Sequence, residues 1–468
     1  MGKWYWSRPR AERWIWAACV LFAPFELAAK AFGHTVAYGD FNVHRDFGMR
    51  FLQGTPLYKG GHCFNYMPIS ALFYAPLAMV PPPLASLGRT GLAMVCLVYV
   101  MRTLGAMVRG QARAGPWPGV AVAACAVLLC GQYVLRDLDD GGPHLIYLAM
   151  ILGAMQAVRR GREGRAALGF GLAIALKMTP GLFLPFFVWK RRWRLAVYTS
   201  LATAAWIALP SVWMGPGSWW RHQDQWNRLA LDVFASRMDQ AREFNEIRVQ
   251  NQALKPAVTR LLVAYPAGHP LKVNHPLDFP VLHLDEPSAR RVATLVCLGL
   301  LGGVAWWSRR RWSEPDDPRF PLEMAAVLVL MPLLSPVTWL QHLSFLLPAT
   351  YLLAAEHLAF QRWSRPVAAM VAIYALITVD CNRGFVGRDV SLLLFSWHAH
   401  TWAILALLGL LMGARPTTRS TVEREEPAAP TGGGDGSIRT PKFVVHPPAS
   451  FHPTGPRRVA RAWGSKSS

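Results

Sequence analysis

Asp40, with His44 four residues on and Asp46 beyond it, opens a set of polar side chains scattered through an otherwise apolar chain. Gln132, Arg136, Asp137, Asp139, Asp140 and His144 follow, then Lys177, then Asn251, Gln252 and Lys255, and finally Ser335, Trp339 and His342. Carboxylates among cations and amides can take a proton from a hydroxyl while neutralising an anion. Ionisable groups near membrane depth are expensive to hold, so such a set usually lines a working cavity. The seven cysteines form no CxxC pair, so neither a zinc nor a redox site is indicated, and no metal or cofactor is expected. No Gly-rich phosphate loop or cytoplasmic DxD pair is present, which argues against a nucleotide-bound substrate.

The elements that must position these groups are membrane helices. The chain is 53% hydrophobic with 20 tryptophans, and apolar stretches near the length of a bilayer crossing recur from Trp14 to Met412. Its net charge of +22 would suggest nucleic acid in a soluble protein, but the basic residues cluster beside the apolar stretches. Arg8 to Arg13, Arg159 to Arg165, Lys190 to Arg194, Arg309 to Arg311 and Arg362 to Arg365 have the positions of cytoplasmic loops. A membrane partner is therefore expected and a nucleic-acid partner is not.

Treating those clusters as cytoplasmic fixes the crossings between them. The first, at about 14 to 32, runs outward and is read as uncleaved, because Glu26 and Lys30 make a poor approach to the Ala29-Lys30-Ala31 site. Residues 33 to 65 then lie outside. The stretch 66 to 83, broken by Pro68, Pro76 and Pro81 to Pro83, is read as an interfacial or re-entrant helix, and 84 to 106 as one crossing. Crossings at about 117 to 134 and 143 to 158 place Gln132 to His144 at the outer face. Between Arg165 and Lys190 about 24 residues must leave and return, too few for full helices at about 1.5 Å per residue, so a broken hairpin is expected with Lys177-Met178-Thr179-Pro180 at its apex. Later crossings are placed at about 195 to 213, 290 to 307, 320 to 338, 342 to 357, 366 to 380 and 394 to 412. Residues 214 to 289 form the largest outer loop, with helical signals near 232 to 249 and 255 to 263, and residues 381 to 393 a smaller one. The Pro-, Gly- and Ser-rich tail, 413 to 468, reads as disordered and cytoplasmic. Cys63 and Cys381 are the cysteines placed outside, where a disulfide between them is open.

The ordered motifs carry a resemblance. Asp40-Phe41-x-Val43, Gly54-x-Pro56-Leu57-Tyr58, Phe64-x-Tyr66-x-Pro68, Ala71-Leu72-Phe73-x-Ala75-Pro76-Leu77-Ala78, Gly131-Gln132, Lys177-x-Thr179-Pro180, Asn251-Gln252-Ala253-Leu254 and Ser335-Pro336-x-x-Trp339-x-x-His342 occur in the order seen in glycosyltransferase family 87, which the chain resembles over about residues 14 to 412. The resemblance implies an all-α, multi-pass transmembrane bundle of about 11 to 12 helices with the C-type glycosyltransferase fold and interfacial helices in its first outer loop. It also implies metal-independent, inverting transfer of mannose or a related sugar from a polyprenyl-phosphate donor to a lipid or glycan acceptor outside the membrane. Asp40 then resembles the catalytic base. Tyr66, Gln132, Arg136, Lys177, Asn251, Gln252, Trp339 and His342 are the candidate substrate-binding residues. Met67-Pro68 stands where the family has a double proline, and Gln341-His342 where it has a histidine pair.

Chemically, a sugar leaving from a phosphate needs no proton on its leaving group, so one carboxylate base and cations on the phosphate suffice. Lys177, Arg136 and His342 are the cations expected there. Each residue has a plainer reading as well. Asp40 could cap a helix, Lys177 snorkel, His342 end a helix, and Arg136 pair with Asp137 or Asp139. His44 and Asp46 could decorate an amphipathic turn, Asn251 and Gln252 brace a loop, and Trp213, Trp219, Trp220 and Trp226 form an interfacial belt. A secondary transporter is the rival function, although no internal repeat supports it.

Overall fold

The computed structural model describes residues 39–58, 66–109, 119–234, 250–266, 269, 280–312, 317–356, 364–380 and 383–414. Every regular element among them is helical, with no strand. The expected first crossing, the tail from Arg415, and the pairing of Cys63 with Cys381 lie outside the described residues.

The first elements are α1 (Asp40–Gln53), α2 (Pro68–Ala78), α3 (Pro82–Arg109), α4 (Gly119–Asp140), α5 (His144–Arg159) and α6 (Glu163–Leu176). A 3-10 turn, Thr179–Leu182, leads to α7 (Phe183–Trp189), α8 (Trp193–Ala208), α9 (Ser211–Met214), α10 (Pro216–Phe234), α11 (Leu254–Leu262), α12 (Glu286–Trp307) and α13 (Phe320–Leu334). A second 3-10 segment, Leu340–Leu346, precedes α14 (Leu347–Ala354), α15 (Arg365–Ala375), α16 (Arg383–Ser396) and α17 (Ala399–Gly413).

Among the described residues, Pro82–Val108, Ala121–Asp140, Trp193–Met214 and Glu286–Trp307 are long and apolar enough to cross a membrane. Val386–Ser396 and Ala399–Gly413, bent by 67° at their junction, pass the same test together. These spans mark an integral membrane protein. Among the described residues the other expected crossings meet shorter apolar helices, such as His144–Arg159 and Phe320–Leu334. At a rise of about 1.5 Å per residue these fall short of a hydrocarbon core about 30 Å thick. Their sequences contain the reason: Gly141-Gly142-Pro143 breaks the chain before α5, while Pro332 and Pro336 break it at the end of α13.

Burial separates inner from outer helices. In α13 every residue from Phe320 to Leu333 is buried, as expected of a helix apolar all round and packed on all sides. Only Ala289, Ala293 and Val304 are buried in α12, whose Leu295, Val296 and Leu298 stand exposed, a surface suited to hydrocarbon.

The broken hairpin is present. α6 ends at Leu176, Pro180 occupies the first turn of the 3-10 segment, and α7 returns toward Lys190. Phe170 lies 5.0 Å from both Phe183 and Phe187 across it. At its foot Lys190 Nζ lies 2.6 Å from Glu323 Oε2 and donates to the carbonyl of Arg310 at 2.7 Å, so this buried charge is fully engaged.

Some boundaries differ from expectation. α4 continues to Asp140 instead of stopping near residue 134, because Arg136 and Asp140 pair across one turn of its polar end. α10 occupies residues read as irregular loop: its Trp, Arg and His content lowers hydropathy, but Trp219, Gln223, Trp226 and Ala230 recur at helical spacing on the inward side. α11 matches the expected signal at 255 to 263, while residues 235–249, which carry most of the other signal, lie outside the described set. Residues 383 to 396, expected largely as loop, form α16.

Candidate active site

Asp40 is the first residue of α1, and Gly39 before it is extended at φ −95 and ψ 175. Phe41, His44, Phe47 and Gly48 bury one face of the helix, so α1 is amphipathic and lies against the bundle. Glycine is required at both ends of this contact. A Cβ on Gly48 would stand 2.5 Å from the Tyr74 carbonyl oxygen in α2, and one on Gly39 would stand 2.6 Å from the Asp140 carbonyl oxygen at the end of α4. The bare backbones therefore set Asp40 beside the α4–α5 turn.

Asp40 Oδ2 accepts a hydrogen bond from Gln341 Nε2 at 3.1 Å. Desolvation raises the pKa of Asp40 above the ordinary carboxylate range, opposed by the Gln341 hydrogen bond and the Lys177 ammonium. The residue is only half-buried, as are Lys177 and His342. An open edge is what a group meeting substrate needs.

Behind these half-open residues a chain of contacts runs from Lys177 to two fully buried groups, His144 and Asp137. Lys177 Nζ is 2.7 Å from His144 Nε2, and His144 Nδ1 is 2.7 Å from Asp137 Oδ1. Asp137 also accepts the backbone N–H groups of His144 at 3.3 Å and Leu145 at 3.0 Å. It thereby caps α5, whose own N-cap position is Pro143 and supplies no side-chain cap. Gly141 turns the chain at φ +70, and a Cβ there would strike Phe41 Cβ. A Cβ on Gly142 would strike Asp137 Oδ1 and stand 3.0 Å from His144 Nδ1. Arg89 of α3 fastens the turn by donating to the carbonyls of Asp137 at 2.9 Å, Leu138 at 3.2 Å and Gly142.

The third contribution comes from the segment after α13. Asn251 Oδ1 accepts from the backbone N–H of Thr338 at 2.9 Å and of Ala253 at 3.2 Å, while its Nδ2 donates to the Pro336 carbonyl at 3.0 Å. The Gln252 backbone N–H donates to the Thr338 carbonyl at 2.8 Å, and Gln252 Nε2 to the Phe395 carbonyl at 3.0 Å. The Asn251 side chain and the Gln252 backbone brace the turn that delivers Trp339, Gln341 and His342, while the Gln252 side chain ties it to α16. The His342 ring receives the Trp339 N–H on Nδ1 at 3.4 Å. Its centroid is 4.6 Å from that of His144.

An aromatic wall completes the surroundings. His44 stacks on Tyr74 at 4.2 Å and meets the edge of Tyr66 at 4.9 Å. Burial, with Arg89 and Lys177 nearby, lowers the His44 pKa to about 3, so its ring is neutral throughout the physiological range. The Tyr74 and Tyr147 hydroxyls share a 2.5 Å contact. Ser70 Oγ donates to the Leu176 carbonyl at 3.2 Å, tying α2 to the residue before Lys177.

Asp40, Lys177, His342 and Trp339 thus come from segments far apart in sequence to one region, and Tyr66 reaches it through His44. Gln132 lies inside α4, with its amide nitrogen buried and unpartnered. Arg136 pairs with Asp140 at 2.9 Å, a residue the sequence reading did not offer as its partner, and 53% of its side chain is exposed. Asp46 pairs outward with Arg50 at 2.9 Å. Sequence reasoning missed Arg89 and the use of Gln341, and left Asp137 and His144 without roles. The stretch 84 to 106 carries two arginines, Arg89 and Arg102, and the available signal was a charge placed that deep in an apolar segment.

The profile of glycosyltransferase family 87 matches residues 64–336. Over 428 residues the chain is 25% identical to a polyprenol-phosphate-mannose-dependent alpha-(1-2)-phosphatidylinositol mannoside mannosyltransferase of Mycolicibacterium smegmatis, covering 85% of this chain and 89% of that protein. A protein of the same description from Mycobacterium tuberculosis is 23% identical over 459 residues, covering 90% and 96%. A polyprenol-phosphate-mannose-dependent alpha-(1-2)-phosphatidylinositol pentamannoside mannosyltransferase from another strain of that species is 24% identical over 286 residues, covering 61% and 57%.

Proposed function

This chain belongs to glycosyltransferase family 87, and on that footing we propose that it transfers mannose from a polyprenyl-phosphate carrier to a hydroxyl of a lipid or glycan acceptor at the outer face of the membrane. The descriptions of its relatives supply the donor and suggest a phosphatidylinositol mannoside as the acceptor class. Membership of a transferase family sets the transporter reading aside.

The observation that supports this reading best is the meeting of half-buried Asp40 with Lys177 and His342 at one open edge. On this reading Asp40 takes the proton of the acceptor hydroxyl as its oxygen bonds to the anomeric carbon. The bond from that carbon to the phosphate oxygen breaks, and its electron pair leaves with the phosphate. Lys177 offsets the charge there, with His342 beside it. Direct displacement between a base on one side and a cation on the other inverts the anomeric centre. Gln341 holds the Asp40 carboxyl in place, and Tyr66, His44 and Trp339 border the sugar. Asn251 and Gln252 act through the turn they brace, and Gln132 offers a free amide donor. Arg136 stands aside with Asp140.

Residues 1–412 form the transferase domain on this reading, completed as a C-type glycosyltransferase bundle in which α1 and α2 lie at the interface and the tail is appended. Purified protein in lipid nanodiscs, given polyprenyl-phosphate mannose and a phosphatidylinositol mannoside, is expected to yield an acceptor heavier by one mannose. Equal transfer from a nucleotide mannose without lipid carrier would overturn the donor assignment.

A further inference from the structure

We propose that Asp137 and His144 are positioning residues that hold Lys177 as an ammonium aimed at the phosphate of the donor. This rests on the reading above, in which Lys177 meets that phosphate.

The proton count supports it. An ionised Asp137 can only accept, and its oxygens already take the backbone N–H groups of His144 and Leu145. The 2.7 Å contact from Asp137 Oδ1 to His144 Nδ1 therefore places the ring proton on Nδ1. Nε2 is left as a lone pair, and the 2.7 Å contact to Lys177 Nζ is filled by an ammonium hydrogen. One donor of Lys177 is thus committed and the others are left for an incoming anion. A proton on Nε2 instead of Nδ1 would set two donors against each other at Lys177 and a lone pair against the Asp137 carboxylate.

The packing preserves this arrangement. Asp137 and His144 are fully buried, whereas Lys177 opens on the site. Gly142 leaves room for the Asp137–His144 contact, and Arg89 clamps the turn that carries it. A lysine is a point charge on a flexible stem, so its aim must come from neighbours. Here it comes from an imidazole whose tautomer a carboxylate has fixed.

The test measures binding of farnesyl monophosphate to full-length protein in phosphatidylcholine nanodiscs. Asp137→Asn and His144→Phe are each expected to weaken binding about tenfold or more, the scale of a lost hydrogen bond to a charged group. His144→Phe keeps the backbone N–H that Asp137 caps, so it guards against a folding failure of the other variant. On a Lys177→Met background neither change is expected to weaken binding further. Wild-type affinity in both folded variants, or the same loss with Lys177 absent, would overturn the positioning roles. Wild-type protein that binds no prenyl phosphate would instead refute the donor reading, and the inference with it.

Discussion

Replacing Asp40 with Asn separates the charge of the proposed base from its shape. The Asn side-chain oxygen can still accept the Gln341 hydrogen bond seen at 3.1 Å, so the start of α1 stays in place. What disappears is the proton acceptor and the negative charge facing Lys177. General-base catalysis contributes about 10²- to 10⁴-fold, so turnover should fall at least a hundredfold, or about 2.7 kcal/mol in activation free energy. Stability should move the other way. The folded-state pKa of Asp40 is raised by desolvation, so its stabilising contribution is full below the unfolded pKa and is lost as pH rises through the folded value. At neutral pH the ionised carboxylate therefore costs stability, and Asn removes that cost. The assay is single-turnover transfer from polyprenyl-phosphate mannose in nanodiscs, alongside thermal unfolding of the same samples at pH 7.5. Turnover within about threefold of wild type would refute the base assignment, since it lies well below the general-base range. Loss of activity together with a fall in melting temperature would show that Asp40 serves the fold instead.

The acid limb of the pH–rate profile should lie above the ordinary aspartate range, because an Asp40 with a raised pKa must be ionised to act; a limb at or below pH 4 would contradict this. Gly142→Ala should destabilise the protein by roughly 2–4 kcal/mol, since the new methyl meets Asp137 Oδ1 and stands 3.0 Å from His144 Nδ1. Gly91→Ala, with nothing within 4 Å of its new Cβ, should be neutral or stabilising in the same denaturation series. Arg136→Ala should change donor KM less than about fivefold, the scale of an exposed ion pair, whereas Lys177→Met should abolish saturation in steady-state kinetics.

Legibility in the sequence followed the range of the interactions involved. The hairpin at Lys177 could be deduced because its cause is local: too few residues between basic clusters, with Pro180 at the bend. Asp40 and Lys177 stood out because charge is costly among apolar residues. The partners that define their chemistry did not, because a hydrogen bond between Gln341 and Asp40, or between Asn251 and the turn at Thr338, is a matter of tertiary approach with no periodic trace. Arg136 shows the converse case, its pairing with Asp140 standing where the sequence offered Asp137 or Asp139. A cation close in sequence to catalytic-looking carboxylates is satisfied most simply by the one a helical turn away, here Asp140. α10 was hidden because hydropathy penalises the polar half of an amphipathic helix.

The pairing of Asp40 with Gln341 also bears on how the protein is made. The partners are separated by 301 residues, a stretch that takes about 15 to 60 s to synthesise at roughly 5–20 residues per second. Throughout that interval a nascent chain carries the carboxylate without the amide that holds it. A ribosome stalled before Gln341 leaves Asp40 lacking its hydrogen bond at a site that is half-buried in the finished fold. The 3-10 segment after α13 therefore acts as a latch on α1, closed only after most of the chain has been made.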